Sequence, residues 1–402
     1  MQNVSLSKAW LMWFAASLFY AYQYVLRVIP NILMPDLINH FNTSSAEFGQ
    51  FAGLYYIGYA GAHIPLGIWL DRQNPKIVIP ACIMITIAGV LPLLLSDQII
   101  AANVGRLIMG IGSSGAILGA FKVIRLGFAE NHFNRMLGLC VTIGLLGALY
   151  GGLPVSCMLE KASWQTVISV ICLVGIALAV VTYLVIPSAY IKAQTSKNIL
   201  HDVKQVLTNK NVLMVCICSG LMVGPLEGFA DVWGAGFLQS VYKINLAYAA
   251  GMTSLIFLGM CIGSSGLTYL ADKLQTHMKV IIVCGLFMAM AFIYMLTEQA
   301  SVSFLSPLFV AIGFCCAYQI IGIYMASTFV AEKFVGITTA VANMIIMTFG
   351  YFFHSTIGLA MGKHQANGMF LAEQYKIGLA VIPISLLIAC IGFFYLDSKN
   401  KK

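Results

Sequence analysis

Charge is scarce in this sequence. Lys and Arg number 22 and Asp and Glu 14, so charged residues make up 9% of a 402-residue chain. A soluble protein carries about 25%. That supply cannot cover a globule of this size in water, which excludes soluble enzymes, secreted scaffolds and disordered chains. Basic clusters interleaved with exposed aromatics are also lacking, so the net charge of +8 is not the footprint of a nucleic-acid binder. Neither His-Glu-x-x-His, nor Gly-x-Ser-x-Gly, nor a nucleotide-binding glycine loop is found. A membrane-embedded enzyme or an ATP-driven pump would need one of these, so energy is expected from an ion gradient. No cofactor or metal is expected. The eleven cysteines fall mostly inside apolar runs, as Cys82, Cys172, Cys284 and Cys390 do. The close pairs Cys216/Cys218 and Cys315/Cys316 lack metal-site spacing, so all read as small packing residues.

Apolar residues fill the space that charge leaves, at 60% of the chain. A helix needs about 20 of them to cross a bilayer. Twelve such runs lie near 9–35, 47–70, 76–96, 99–124, 136–157, 164–187, 211–239, 246–271, 279–297, 303–327, 336–361 and 376–396. The expected fold is therefore an all-α membrane protein of twelve transmembrane helices in two six-helix halves, 1–187 and 211–402. The first run is too long for a signal-peptide core and is expected to remain as a span. Residues 188–210 form the one polar stretch of linker length, with a pattern that suits a surface helix. With so short a linker, a receptor with a separate soluble domain is disfavoured. With the N-terminus inside, fourteen Lys/Arg fall in loops or termini on one side and four on the other. The positive-inside bias then places both termini in the cytoplasm.

The halves repeat a motif. Asp71-Arg72, followed by Lys76, closes the second run, and Asp272-Lys273, followed by Lys279, closes the eighth. The aspartates lie 201 residues apart, half the chain. Repeats of this kind place a binding site near the bilayer midplane between the halves. Gly67-x-x-x-Asp71-Arg72-x-x-x-Lys76 resembles the loop 2–3 signature of the major facilitator superfamily, and the resemblance extends over essentially the whole chain. Asn74 stands where a glycine is usual and is expected to take a left-handed backbone there. Thr268 replaces a glycine in the second copy. Arg106-x-x-x-Gly110-x-Gly112 resembles the family's second signature. Gly147-Ala148-x-x-Gly151-Gly152 resembles its antiporter motif, with Ala148 in place of the proline, which weighs against efflux.

Three shorter strings resemble the phagosomal amino-acid and nucleoside uptake transporters of intracellular bacteria, the Pht branch. They are Tyr24-x-x-Arg27-Val-x-Pro30, Gly119-Ala-Phe-Lys122 and Glu227-Gly-Phe-Ala-Asp231-Val-Trp233-Gly234. This resemblance implies a multi-pass protein of the bacterial inner membrane that works as a monomer. It also implies a latch between helices, built here by Gly67, Asp71, Arg72, Lys76, Arg106, Asp272 and Lys273.

A charge at mid-membrane costs about 2.5–3.5 kcal/mol on the insertion scale, so each one calls for a reason. Tyr20, Gln23, Tyr24, Arg27 and Asn31 recur at three- and four-residue spacing, one polar-aromatic face of a helix. There Arg27 is expected to bind a substrate carboxylate bidentately between the tyrosines. Lys122 follows a face of small residues and is expected to bind a second anionic group or to neutralise a carboxylate. Arg125, a turn further on, reads as snorkelling. Glu227 and Asp231, four apart near Trp233, are expected to carry a proton or hold an ammonium. Asn343, Met347, Gly350 and His354 share a face, and His354 is a candidate proton relay. Gln319, beside Tyr318, is a candidate hydrogen-bonder of substrate, whereas His63 reads as packing.

The partners expected are a small-molecule substrate, a coupling ion (H+ first) and the lipid bilayer. The reading is a secondary transporter for proton-coupled uptake of a small zwitterionic or anionic nutrient such as an amino acid. A siderophore or polycarboxylate transporter is the alternative, followed by drug efflux.

Overall fold

The computed structural model describes residues 5–129, 132–188, 199–366 and 368–400. Residues 189–198 of the expected linker, with Lys192 and Lys197, and the terminal Lys401 and Lys402 lie outside the described residues. The rest is helical. The order is α1 (Leu6–Val28), α2 (Pro30–Phe41), α3 (Ser45–Arg72), α4 (Pro75–Leu95), α5 (Ile99–Gly127), α6 (Phe133–Leu159), α7 (Trp164–Val185), α8 (Ile199–Thr208) and α9 (Lys210–Leu221). A π-helix (Gly224–Trp233) follows, then α10 (Gly234–Val241), α11 (Leu246–Leu274), α12 (His277–Leu296), α13 (Val302–Cys316), α14 (Tyr318–Thr328), α15 (Val335–Ala366), α16 (Leu371–Leu379) and α17 (Val381–Asn400). A 3-10 turn, Glu332–Phe334, precedes α15. The helix expected in the linker is α8, whose Val206 is buried.

Among the described residues, ten helical stretches are long and apolar enough to cross a membrane. They correspond to the third to twelfth runs of the sequence. The first two runs correspond to α1–α2 and α3, where tyrosines, glutamines and glycines lower the hydropathy. Asn74, Ser163, Asn209 and Asn245 start α4, α7, α9 and α11, each accepting from a backbone N–H of the first turn. Such caps contribute about 1 kcal/mol each. Asn74 therefore does a different job from the one its sequence position suggests. Its φ is −67°, in the extended region, and its side chain accepts from the Lys76 N–H at 3.0 Å. The left-handed residue belongs to the second copy of the motif, where Gln275 ends α11 at φ 51°.

Compactness divides the chain differently from the sequence repeat. One unit joins Met1–Ile29 with Leu54–Ser196, and the other joins Pro30–Gly53 with Lys197–Lys402. The first division falls where Pro30 interrupts the helix. Proline has no N–H to give the carbonyl four residues back, so α1 stops and α2 starts anew.

The repeat is written into the close contacts of each unit. In the first, a Cβ on Gly58 would strike the Leu107 carbonyl, and one on Gly110 the Tyr55 carbonyl. In the second, a Cβ on Gly259 would strike the Val310 carbonyl, and one on Gly313 the Ile256 carbonyl. Gly58/Gly259 and Tyr55/Ile256 are each 201 residues apart, the same interval as Asp71/Asp272. Only glycine lets the backbones of the second and fourth spans, and of the eighth and tenth, approach this closely. The glycines of the antiporter-like string pack α6 against α1, with Gly147 over Ala21 and Gly151 over Val25.

Candidate functional site

The candidate residues fall into two groups, one per unit, with the loop residues apart from both. In the first unit α1 carries Tyr20, Gln23, Tyr24 and Arg27, whereas Asn31, the fifth residue of the expected face, falls on α2 beyond the break at Pro30 and belongs to the second unit. Arg27 is 5% exposed, and its guanidinium carbon lies 4.8 Å from the Tyr24 ring centre and 5.2 Å from that of Tyr56. Tyr20 meets Tyr24 edge-on at 5.3 Å, and its ring leaves no room for a side chain at Gly144 of α6. The Gln23 carbonyl oxygen accepts from the Tyr55 hydroxyl at 2.5 Å. Each aromatic face beside a cation contributes about 0.5–2 kcal/mol, and the planar guanidinium fork matches the geometry of a carboxylate.

The backbone beneath Arg27 is braced from α5. Pro30 deprives the Leu26 carbonyl of its helical donor, and Arg106 supplies one. Its Nη1 donates to Leu26 O at 2.9 Å, and its Nη2 to Arg27 O at 3.0 Å. Its guanidinium also lies 4.9 Å from the Tyr55 ring centre. Arg106, expected in a latch, braces in this structure the helix end that carries Arg27. Three tyrosines of α3 went unnamed in the sequence reading. Tyr55 and Tyr59 stack at 6.1 Å, Tyr59 meets His63 at 5.7 Å, and Tyr56 covers Arg27. The spacing Tyr55-x-x-x-Tyr59-x-x-x-His63 marks one helical face and was the available signal.

Lys122 belongs to neither group. Its ammonium lies 3.1 Å from Asp71 Oδ1, so in this structure it neutralises the loop carboxylate. Around it, Lys76 sits 4.9 Å from the Tyr183 ring centre, Arg72 is exposed, and Gly67 has open space where a Cβ would stand. In the second copy Asp272 pairs with His277 at 2.9 Å and Lys273 is exposed. Arg125 is exposed, with its guanidinium 5.5 Å from the Phe133 ring centre.

In the second unit Glu227, Asp231 and Trp233 are buried on one segment, and that segment is a π-helix rather than the α-helix their spacing implied. Its N–H groups reach five residues back, as Gly234 does to Phe229 O. Phe229 packs among Phe237, Phe292 and Phe309, and Trp233 meets Phe48 edge-on at 5.8 Å. The Trp233 indole N–H finds no acceptor among the described residues. Gln319 on α14 is buried, with its Nε2 likewise unmatched, beside Tyr318, whose hydroxyl donates to Ser219 O at 2.7 Å. On α15, His354 is fully buried and Asn343 half-buried. Gly49 of α3 backs onto the His354 carbonyl with no space for a side chain.

Asn31 of α2, noted in the sequence only as part of the polar-aromatic face of the first run, bonds to three groups of this unit. Its Nδ2 donates to Ala230 O at 3.1 Å and to Thr253 Oγ1 at 3.3 Å, while its Oδ1 accepts from the Ala235 N–H at 2.9 Å. It also borders a cavity of about 510 Å³ whose polar lining includes Ser45, Gln239, Gln365 and Gln374.

Comparison with known proteins gives these groups a setting. The family model described as Major Facilitator Superfamily matches residues 12–355. The chain is 22% identical over 307 residues to the probable L-galactonate transporter of Escherichia coli K12; that match covers 68% of this chain and 65% of the relative's length. It is 22% identical over 368 residues to the multidrug resistance protein MdtL of Escherichia coli O45:K1, covering 89% of this chain and 87% of MdtL. Its fold superposes, at TM-score 0.76 and 17% identity, on the crystal structure of a bacterial homologue of the human lysosomal transporter Spinster, over 98% of this chain and 97% of that one. The two repeated halves, the loop motif and the family match together make this chain a member of the Major Facilitator Superfamily, a multi-pass membrane transporter and not an enzyme.

Proposed function

We propose that this transporter takes up a small zwitterionic or anionic nutrient, an amino acid first, with proton coupling and by alternating access, as in the phagosomal uptake branch it resembles. The observation that carries the reading is Arg27, a cation 5% exposed between the Tyr24 and Tyr56 rings, a setting that suits bidentate recognition of a carboxylate. In this reading Arg27 takes the carboxylate, and Glu227 or Asp231 carries the proton or meets an amine. The transporter sits in the bacterial inner membrane with both termini inside. A relative named for a sugar acid, whose substrate is a monocarboxylate, agrees with the arginine's part. Polycarboxylate or siderophore transport asks for a second cation, and Lys122, which would supply it, pairs with Asp71. Drug efflux has the MdtL relative in its favour. Against it, a buried arginine repels a hydrophobic cation.

A thermal-shift screen of the purified protein with amino acids, sugar acids, nucleosides, dipeptides and polycarboxylates tests the proposal. A ligand that binds the folded state raises its melting temperature. Stabilisation by one amino acid or monocarboxylate, lost in Arg27→Ala, is the expected result. Stabilisation by citrate-like compounds alone would transfer the assignment to polycarboxylates. Stabilisation by lipophilic cations that persists in Arg27→Ala would transfer it to drugs.

A further inference from the structure

The Asn31 carboxamide sits where a backbone hydrogen bond would be. The π-ladder runs up to Gly234, whose N–H donates to Phe229 O, five residues back. The next rung would join the Ala235 N–H to Ala230 O. Instead both groups bond to Asn31, the N–H to Oδ1 at 2.9 Å and the carbonyl to Nδ2 at 3.1 Å. A carboxamide presents one donor and one acceptor side by side, as a peptide group does, so it can stand between the two ends of a rung. Thr253 of α11 takes the second amide hydrogen. The junction is buried, with Asn31 5% exposed and Thr253 fully enclosed. Any of these groups left unmatched there would cost about 1–3 kcal/mol.

The two acids lie on the ladder that Asn31 terminates. Glu227 stands near the start of the π-segment, and Asp231 directly follows Ala230. A π-turn encloses one residue more than an α-turn. Each rung that changes type therefore turns the residues beyond it relative to those before. Asn31 itself comes from the N-terminal half of the sequence, on a segment that is separated from α1 only by the break at Pro30. The cavity it borders carries the amides of Gln239 and Gln374 among apolar side chains, polar partners for a displaced amide or a water.

We propose that Asn31 is a positioning residue for Glu227 and Asp231: its amide, seated between Ala230 and Ala235, holds the π-winding that presents the two acids, and its withdrawal lets the segment rewind and turn them. The proposal rests on the reading of these acids as the coupling groups. Movement of the first span and protonation of the seventh then become linked through one side chain.

The test uses the full-length protein in nanodiscs and proteoliposomes. In Asn31→Ala, amide hydrogen exchange across Gly224–Val241 should quicken at least fivefold. Substrate binding measured by thermal shift should stay within threefold of wild type, as should substrate exchange at zero gradient. Accumulation driven by a pH gradient should fall at least tenfold. Asn31→Asp keeps the acceptor for Ala235 and should fall between Asn31→Ala and wild type. Unchanged amide exchange, or accumulation and zero-gradient exchange falling together, would overturn the proposal. If Asn31→Ala fails to insert, Thr253→Val removes one of the three bonds and should move the same readouts in the same direction by less; no movement there would equally overturn it. Failure of the transport reading is distinguishable, because it removes Arg27-dependent ligand stabilisation from the wild type and leaves the hydrogen-exchange result standing.

Discussion

The cation of the first unit and the acids of the second are positioned by the same device in different forms. In both, a helix departs from α-geometry beside a buried charge, and a polar side chain from another element completes the backbone. At Arg27 the departure is a proline break, and Arg106 supplies donors to the Leu26 and Arg27 carbonyls. At Glu227 and Asp231 it is a π-winding, and Asn31 supplies a donor and an acceptor to Ala230 and Ala235. The two differ in permanence. Arg106 and Arg27 belong to the same half of the sequence, whereas Asn31 comes from one half and its partners Ala230 and Ala235 from the other. The first brace suits a fixed binding group and the second a group that must change environment.

Removing the cation tests that contrast most severely. Arg27→Ala should lower ligand affinity roughly hundredfold, the worth of two charge-assisted bonds at about 1.5 kcal/mol each, with insertion and folding retained. Ligand titration followed by melting temperature measures it, and wild-type affinity would remove the carboxylate role. Glu227→Gln and Asp231→Asn should separate the two kinds of brace by function. One of them should abolish concentration of substrate against a gradient while exchange continues. If both variants still concentrate substrate, the coupling group lies elsewhere, and His354 is next. Arg106→Lys keeps the charge but loses the fork that reaches two carbonyls. Loss of one such bond, about 1.4 kcal/mol, should weaken binding about tenfold through displacement of Arg27. Asp71→Asn should do least to stability. The Asp71–Lys122 pair has a 48% exposed carboxylate, and such pairs contribute about 0–1 kcal/mol, so the melting temperature should move little. A change in transport rate with an unchanged melting temperature would identify the pair as conformational.

The architecture was legible because lipid imposes it. Long apolar runs, the Asp71/Asp272 interval and the lone polar linker are all consequences of chain geometry that composition records. Arg27, Glu227 and Asp231 were legible as charges whose burial has a cost. The uncharged parts of the site were hidden. Tyr55, Tyr56 and Tyr59 share a side-chain type with tyrosines throughout the chain, and only their spacing sets them apart. The π-winding left no trace in hydrophobic periodicity, since Glu227 and Asp231 at four-residue spacing suit an α-helix as well. Lys122 was legible as costly, but its partner lies 51 residues away on another helix, which sequence order does not reveal. Asn74 illustrates the reverse error. An asparagine in a glycine's place suggested left-handed backbone, and the proline after it made it a helix cap instead.

The central claim is that a buried arginine binds the substrate while a separate acid on the seventh span couples its movement to protons. Purified protein in proteoliposomes, given a labelled amino acid or monocarboxylate found by the thermal screen, tests it under an imposed inward pH gradient. Wild type should concentrate the label and stop when the gradient is collapsed. Arg27→Ala should show neither accumulation nor exchange, and the decisive acid variant should show exchange alone. Accumulation by Arg27→Ala at the wild-type level would contradict the claim.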